Sequence, residues 1–326
     1  MTKILLSTLR FATGATLACC LATSVFAQTA TSTNLYYTLE EGGSTVRLKK
    51  REMQPQGEVR GIVHLVHGLK DHGGRYGAFM KDLAARGYIS HAFDLPGHGS
   101  SARWNGEEAE ASGPNGYVAD LDALAAVLDS EIASSQERAP GLPVFVLGHS
   151  MGGTLVARYM QLFGQARGVA GFVLSAPSLK LFAYQVPLLP LLKLTNWLAP
   201  AAPFFVGLKA KNFAYNPQTV ADLSKGGDPL VFPKIHPVGT AVAVARAMKG
   251  IREGAGDVRT PVLILHSDGD KVTNPKGSAA YYESVGSDDK TLRSLNGDAF
   301  KHALFEEAGA PQLRAEVIDW IEARTP

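Results

Sequence analysis

The stretch Pro143-Val144-Phe145-Val146-Leu147-Gly148-His149-Ser150-Met151-Gly152-Gly153 constrains this chain more than any other. Four consecutive apolar residues, Val144 to Leu147, read as a buried strand, and the small residues after Met151 read as the start of a helix. Between them lies Gly148-x-Ser150-x-Gly152. A strand that turns directly into a helix holds the residue at the turn in a positive-φ conformation and pushes its side chain out at the strand tip. Side chains two positions to either side would collide, so glycine fits there. In a chain with 34 glycines the five-residue pattern alone means little; the strand before it and the helix after it give it weight.

The rest of the chain alternates in the same way. A polar β-hairpin is expected across Glu41-Gly42-Gly43-Ser44, between Thr38 and Arg51. Gly61 to Val66 reads as the first strongly apolar strand and ends in His67-Gly68. A helix to Arg86 and a strand from Tyr88 to Phe93 follow, the strand ending at Asp94. Val118, Leu121, Ala125, Leu128 and Ile132 step by three and four, the pattern of an amphipathic helix. Beyond the Ser150 turn come strands at Val169–Ser175, Pro261–His266 and Thr291–Leu295. Helices are expected at Pro275–Val285, capped by Asn274, and at Pro311–Ala323. Apolar strands alternating with helices imply an α/β fold, a mostly parallel sheet covered on both faces. Reactive loops then gather at the carboxyl ends of the strands.

Two segments depart from this alternation. Residues 1–27 have Lys3 and Arg10 ahead of an apolar stretch and end in Val25-Phe26-Ala27, the pattern of a cleaved signal peptide. An uncleaved anchor fits less well, because Phe11 to Ala27 is short and holds three threonines. Lipidation at Cys19 has a poor acceptor sequence before it. The expectation is an exported protein, periplasmic or secreted. Removing 1–27 leaves 30 basic and 30 acidic residues and takes away Cys19 and Cys20, the only cysteines. No disulfide, thiol nucleophile or cysteine metal ligand is then available. Neither that balance nor the +2 of the whole chain favours nucleic acid as a partner.

The second segment is 178–236, which divides the α/β body into 28–177 and 237–326. Phe182 to Leu208 is strongly apolar with one charge, Lys193, and Pro187, Pro190, Pro200 and Pro203 rule out a single spanning helix. It reads either as a helical subdomain packed on the body or as a lid. As a lid, its inner face, with Leu188, Leu191, Leu192 and Trp197, would line an acyl-chain pocket or touch a lipid surface transiently.

A serine hydroxyl needs a base to take its proton, and the base needs an acid to orient it. Gly-x-Ser-x-Gly between strand and helix is the nucleophile elbow of α/β-hydrolases, where the acid and then the histidine follow the serine. Only His236, His266 and His302 lie beyond Ser150, and His302 alone follows the loop His266 to Val272, which offers Asp268 and Asp270 as acids. Two backbone N–H groups must face the oxyanion, those of Met151 and of Leu69, just past His67-Gly68. This chemistry needs no cofactor and no metal.

Taken together, His67-Gly68-x3-His72-x2-Arg75-Tyr76, Asp94-x2-Gly97-His98-Gly99-x-Ser101, Gly148-His149-Ser150-Met151-Gly152-Gly153, Ser175-Ala176-Pro177 and Asp270-Lys271-Val272 resemble the monoacylglycerol lipase and lysophospholipase family, often grouped with serine aminopeptidases. The resemblance spans roughly 58–324. It implies an α/β-hydrolase fold, a Ser150-Asp270-His302 triad, Leu69 and Met151 as oxyanion donors, a helical lid after the sixth strand, and an acyl ester of a lipid as substrate. Three positions depart from the family pattern. Leu69-Lys70-Asp71 replaces a small residue, glycine and glutamate; Ser267 replaces glycine; and Asn296 to Ala303 is one residue longer than usual and lacks the acid after the histidine. An exported peptidase of the same fold would need pocket carboxylates for the substrate's ammonium group, and Phe182 to Leu208 supplies none. A fold reused only for binding would have no need of all three residues in order.

Overall fold

A computed structural model describes residues 31–39, 44–104, 118–204, 209–224, 227–231 and 236–326. The signal segment 1–27, with Cys19, lies outside the described residues.

The first half runs β1 (Thr31–Leu39), β2 (Ser44–Met53), β3 (Gly61–Val66), α1 (Gly77–Ala85), β4 (Tyr88–Phe93), α2 (Gly99–Trp104), α3 (Leu121–Arg138), β5 (Val144–His149), α4 (Met151–Tyr159) and β6 (Gly171–Ser175). Then come α5 (Leu189–Leu198), β7 (Pro203–Phe204), α6 (Pro217–Asp222), β8 (His236–Pro237), α7 (Val238–Gly254), β9 (Val262–Ser267), α8 (Pro275–Ser284), β10 (Lys290–Leu295) and α9 (Ala310–Glu322). Eight strands form one sheet in the order β1-β2-β4-β3-β5-β6-β9-β10. The hairpin β1-β2 stands at one edge and joins β4 antiparallel; every pairing from β4 to β10 is parallel.

The apolar run in β5 is explained by its place in the middle of this sheet. Val144 and Val146 enter the core under α3, α4 and α7, and Phe145 and Leu147 enter the core under α1 and α9. Successive side chains point to opposite faces, so a strand covered on both sides has no polar position.

Two helices go beyond the sequence reading. α2 follows the Asp94 loop, and α7 packs Ala243, Ala247 and Ile251 into the core. The segment after β6 contains α5 and α6, with Pro190 in the first turn of α5. Among the described residues no helix is long and apolar enough to cross a membrane.

Candidate active site

Ser150 lies between the end of β5 and the first residue of α4, at φ 56° and ψ −119°. A Cβ on Gly148 would come within 2.3 Å of the Gly152 carbonyl oxygen, and one on Gly152 within 2.3 Å of the Val66 carbonyl oxygen on β3. The collision expected from the spacing is thus between the two glycine positions themselves and with the neighbouring strand. The Ser150 N–H donates to Ser175 O at 2.9 Å on β6, which fixes the turn against the sheet.

The structure brings Ser150, Asp270 and His302 into one hydrogen-bonded chain. His302 Nε2 lies 2.9 Å from Ser150 Oγ and its Nδ1 lies 2.7 Å from Asp270 Oδ2. Of the two candidate acids, Asp270 is buried and Asp268 points outward, accepting from the Ser294 hydroxyl at 2.6 Å. Asp270 also accepts from the backbone N–H groups of Val272 at 2.7 Å and Thr273 at 3.0 Å. Burial alone would push its carboxyl up, but the adjoining charge of His302 and hydrogen bonds from His266 and His302 outweigh that and hold it well below the usual carboxylate range. An ionised Asp270 holds the His302 N–H on Nδ1 and leaves Nε2 free to accept from the serine.

His302 is itself buried, with the Phe213 ring edge-on at 5.5 Å between centroids and the His149 ring at 4.8 Å. The loop before it is held from two sides. The fully buried Ser267 hydroxyl donates to Phe300 O at 2.5 Å and accepts from Gly269 N at 3.1 Å, so one side chain joins the acid loop to the base loop. Gly269 and Gly297 touch backbone to backbone: a Cβ on Gly297 would stand 2.5 Å from Gly269 N. Ser267 stood out in the sequence only as a departure from glycine, and its contact with a residue 33 positions later could not be read there.

Met151 begins α4, where the first N–H groups have no acceptor within the helix. Met151 and Leu69 both border the cleft onto which Ser150 opens, about 900 Å³ when the open solvent space at its mouth is counted in. Its wall is largely apolar, with Leu181, Phe182, Phe204 and Phe213 from the segment after β6 and Val244 and Met248 from α7. Leu188, Leu191, Leu192 and Trp197 do not border it. Leu188, Leu191 and Trp197 are exposed, Trp197 at 77 %, and Leu192 is half-buried. α5 packs on α7 and turns Leu189, Leu192 and Thr195 inward. A helix apolar all round gives no sequence signal for which side faces the body.

Arg75 ties three parts of the site's surroundings together. It pairs with Asp71 at 3.1 Å, with Asp222 at 3.6 Å and Asp228 at 3.8 Å in the segment after β6, and through two nitrogens with Glu306 just beyond His302. Burial, and the Asp71 carboxylate competing for the same guanidinium, push Glu306 up to about 7 despite that pairing.

A strained serine at the tip of a central parallel strand, joined through histidine to a buried carboxylate, defines an α/β-hydrolase. The chain belongs to the serine aminopeptidase S33 family, whose pattern it matches over residues 57–309. It is 29 % identical over 281 residues to a monoacylglycerol lipase of Mycolicibacterium smegmatis, covering 86 % of this chain and 94 % of that one. It is 27 % identical over 284 residues to human monoglyceride lipase, covering 84 % and 86 %. The crystal structure of a monoacylglycerol lipase from Paleococcus ferrophilus superposes with a TM-score of 0.71 at 28 % identity, covering 85 % of this chain and 99 % of that one.

Proposed function

We propose that this serine carboxylic-ester hydrolase cleaves lipid acyl esters, monoacylglycerol or lysophospholipid in type, through an acyl-enzyme. One observation carries the reading: the Ser150-His302-Asp270 chain opens onto an apolar cleft that has no carboxylate among its described lining residues. Ser150 Oγ attacks the ester carbonyl as its proton passes to His302 Nε2, and the N–H groups of Met151 and Leu69 receive the oxyanion. The carbonyl re-forms as the alcohol leaves with the proton from His302. Water, deprotonated by the same nitrogen, then attacks the acyl-serine, and the fatty acid leaves while Ser150 regains its proton. The similarity to monoacylglycerol lipases supports this choice of ester.

A panel of monoacylglycerols, lysophospholipids and simple acyl esters tests the reading, with Ser150→Ala as the blank. Turnover above the blank and labelling of Ser150 by a fluorophosphonate are expected; neither would be seen if the reading is wrong. The family's own description favours peptidase activity as a second reading. The acids that such an enzyme needs for an ammonium group are present as Asp71, Asp222, Asp228 and Glu306, but they surround Arg75, and those near the body border a separate small cavity. Turnover of proline-naphthylamide in place of monoacylglycerol would favour the peptidase.

The apolar residues around α5, including Tyr184, Val186, Leu191, Leu194, Trp197 and Leu198, act in this reading as a lid surface that meets lipid. The composition of residues 1–27 supports export, to the periplasm or beyond, and cell fractionation that finds the protein only in the cytoplasm would contradict it.

A further inference from the structure

His266 lies one residue before the end of β9, buried beside the acid of the triad, and the acyl transfer described above gives it no part. Its Nε2 is 3.3 Å from Asp270 Oδ2, the same oxygen that His302 Nδ1 meets at 2.7 Å. Its Nδ1 is 2.6 Å from the hydroxyl of Ser278, a fully buried residue of α8. An ionised carboxylate can only accept, so the ring presents an N–H to it from Nε2. In the neutral ring Nδ1 is then the acceptor, and the Ser278 hydroxyl is the donor that fits it. Ser150, His302, Asp270, His266 and Ser278 therefore form one buried line of contacts, with the carboxylate between two imidazoles.

A histidine that only fills the core needs partners for its own nitrogens. His266 instead meets the one atom on which the base depends. Asp270 Oδ1 is fixed by the backbone N–H groups of Val272 and Thr273. Oδ2 faces side chains: His302, His266 and the Thr273 hydroxyl at 2.9 Å. That hydroxyl has a single proton and a second acceptor in reach, Ala176 O at 3.0 Å, so it cannot serve both. When it turns to Ala176, the oxygen that orients the base relies on His266 for a second donor. The supports also differ in stiffness. Asp270 and His302 lie in loops, whereas His266 belongs to a strand paired on both sides and Ser278 to a helix. A reacting group is held best when the residues behind it sit on such elements. We propose that His266, steadied by Ser278, is a positioning residue that fixes the rotation of the Asp270 carboxylate, so that Oδ2 keeps facing His302 Nδ1 during acyl transfer. The attraction between the two grows as His302 takes the serine proton, so a turned carboxylate costs more in the transition state than in the bound ester. The proposal rests on the ester-hydrolase reading for its substrate and adds a residue to its machinery.

Two readouts test it: kcat and KM on monooctanoylglycerol below its critical micelle concentration, and the rate at which a fluorophosphonate labels Ser150. The amide of His266→Asn can still accept from Ser278 but is too short to reach Asp270; that of His266→Gln reaches as far as Nε2 does. His266→Asn should lower kcat and the labelling rate about tenfold or more with KM unchanged, the loss of one hydrogen bond to a charged group. His266→Gln should keep most of both rates. A role in the core alone would not separate the two amides in this way. Ser278→Ala should lower both rates too, and no further beside His266→Asn, because it acts through the same ring. Rates unchanged in a folded His266→Asn, or lowered equally by Asn and Gln, would overturn the positioning role. Should His266→Asn not fold, unchanged rates in Ser278→Ala would overturn it instead. Labelling without turnover of any ester above the Ser150→Ala blank would overturn the ester-hydrolase reading and leave His266 to be judged on the labelling rates. No labelling of the unaltered protein would overturn both.

Discussion

The Ser150 backbone sits where a non-glycine residue costs of the order of 1–3 kcal/mol. The surroundings hold it there through the Gly148–Gly152 contact and the bond from Ser150 N to β6. Gly152→Ala would force a methyl group to within 2.3 Å of the Val66 carbonyl oxygen, so β3 and α4 must part. A loss of about 1–3 kcal/mol or more in urea unfolding is expected, with activity lost alongside. Asp270→Asn should leave the fold in place by circular dichroism and lower kcat by about 10⁴, because an amide favours the wrong tautomer of His302. Ser267→Ala removes a buried hydroxyl shared by Phe300 O and Gly269 N. About 1–3 kcal/mol of stability should go with it. If the hydroxyl also sets the place of His302, kcat for a dissolved ester falls while KM stays, a split that a purely structural role would not produce.

At the scale of elements, the segment after β6 has two parts with different attachments. Residues 213–216 are strapped to the base loop by Glu307, whose carboxylate accepts from the N–H groups of Tyr215 at 2.8 Å, Asn216 at 3.1 Å and Lys301 at 3.2 Å. Lys301 returns the tie by donating to Lys211 O at 2.8 Å, and Phe213 O accepts from Ala303 N at 2.7 Å. Glu307→Ala leaves several backbone donors without their acceptor, and a thermal midpoint lower by several degrees is expected, with reduced turnover because His302 lies one residue beyond Lys301. α5 is different, since most of its large apolar side chains face solvent. If that face meets lipid, Leu191→Ser with Trp197→Ser should lower the ratio of turnover on vesicle-borne ester to turnover on dissolved ester. An unchanged ratio would assign the face to something other than a lipid surface.

The whole molecule buries several imidazoles in neutral form. Burial pushes His67 and His98 down to about 4, and drives His64 and His149 well below their usual range. As the pH falls from 6.5 toward about 4, the unfolded chain takes up protons that the folded chain refuses, so stability must fall. His67 and His98 each account for about 3 kcal/mol across that window. Asp270, held low when folded, loses its contribution in the same direction at more acidic pH. Glu306, raised to about 7, works the other way as the pH rises toward that value. Urea midpoints measured from pH 7 to pH 4 should therefore fall steeply on the acid side.

Much of this was legible in the chain because it depends on local order. Val144 to Leu147 can only be a strand covered on both faces, Gly148 and Gly152 admit the turn, Asn274-Pro275 starts a helix, and the order Ser150, acid, His302 leaves one base. Other features are decided by residues far apart in sequence and close in space. Asp268 and Asp270 have the same chemistry two positions apart, and only the fold buries one against His302 and leaves the other to Ser294. Leu188, Leu191, Leu192 and Trp197 are as apolar as the cleft wall, yet the packing of α5 on α7 turns them from it and gives their expected place to Phe204, Phe213, Val244 and Met248. Apolarity is a property of a side chain and can be read one residue at a time. The direction in which a side chain points, and what it meets there, is set by the packing of the elements against each other.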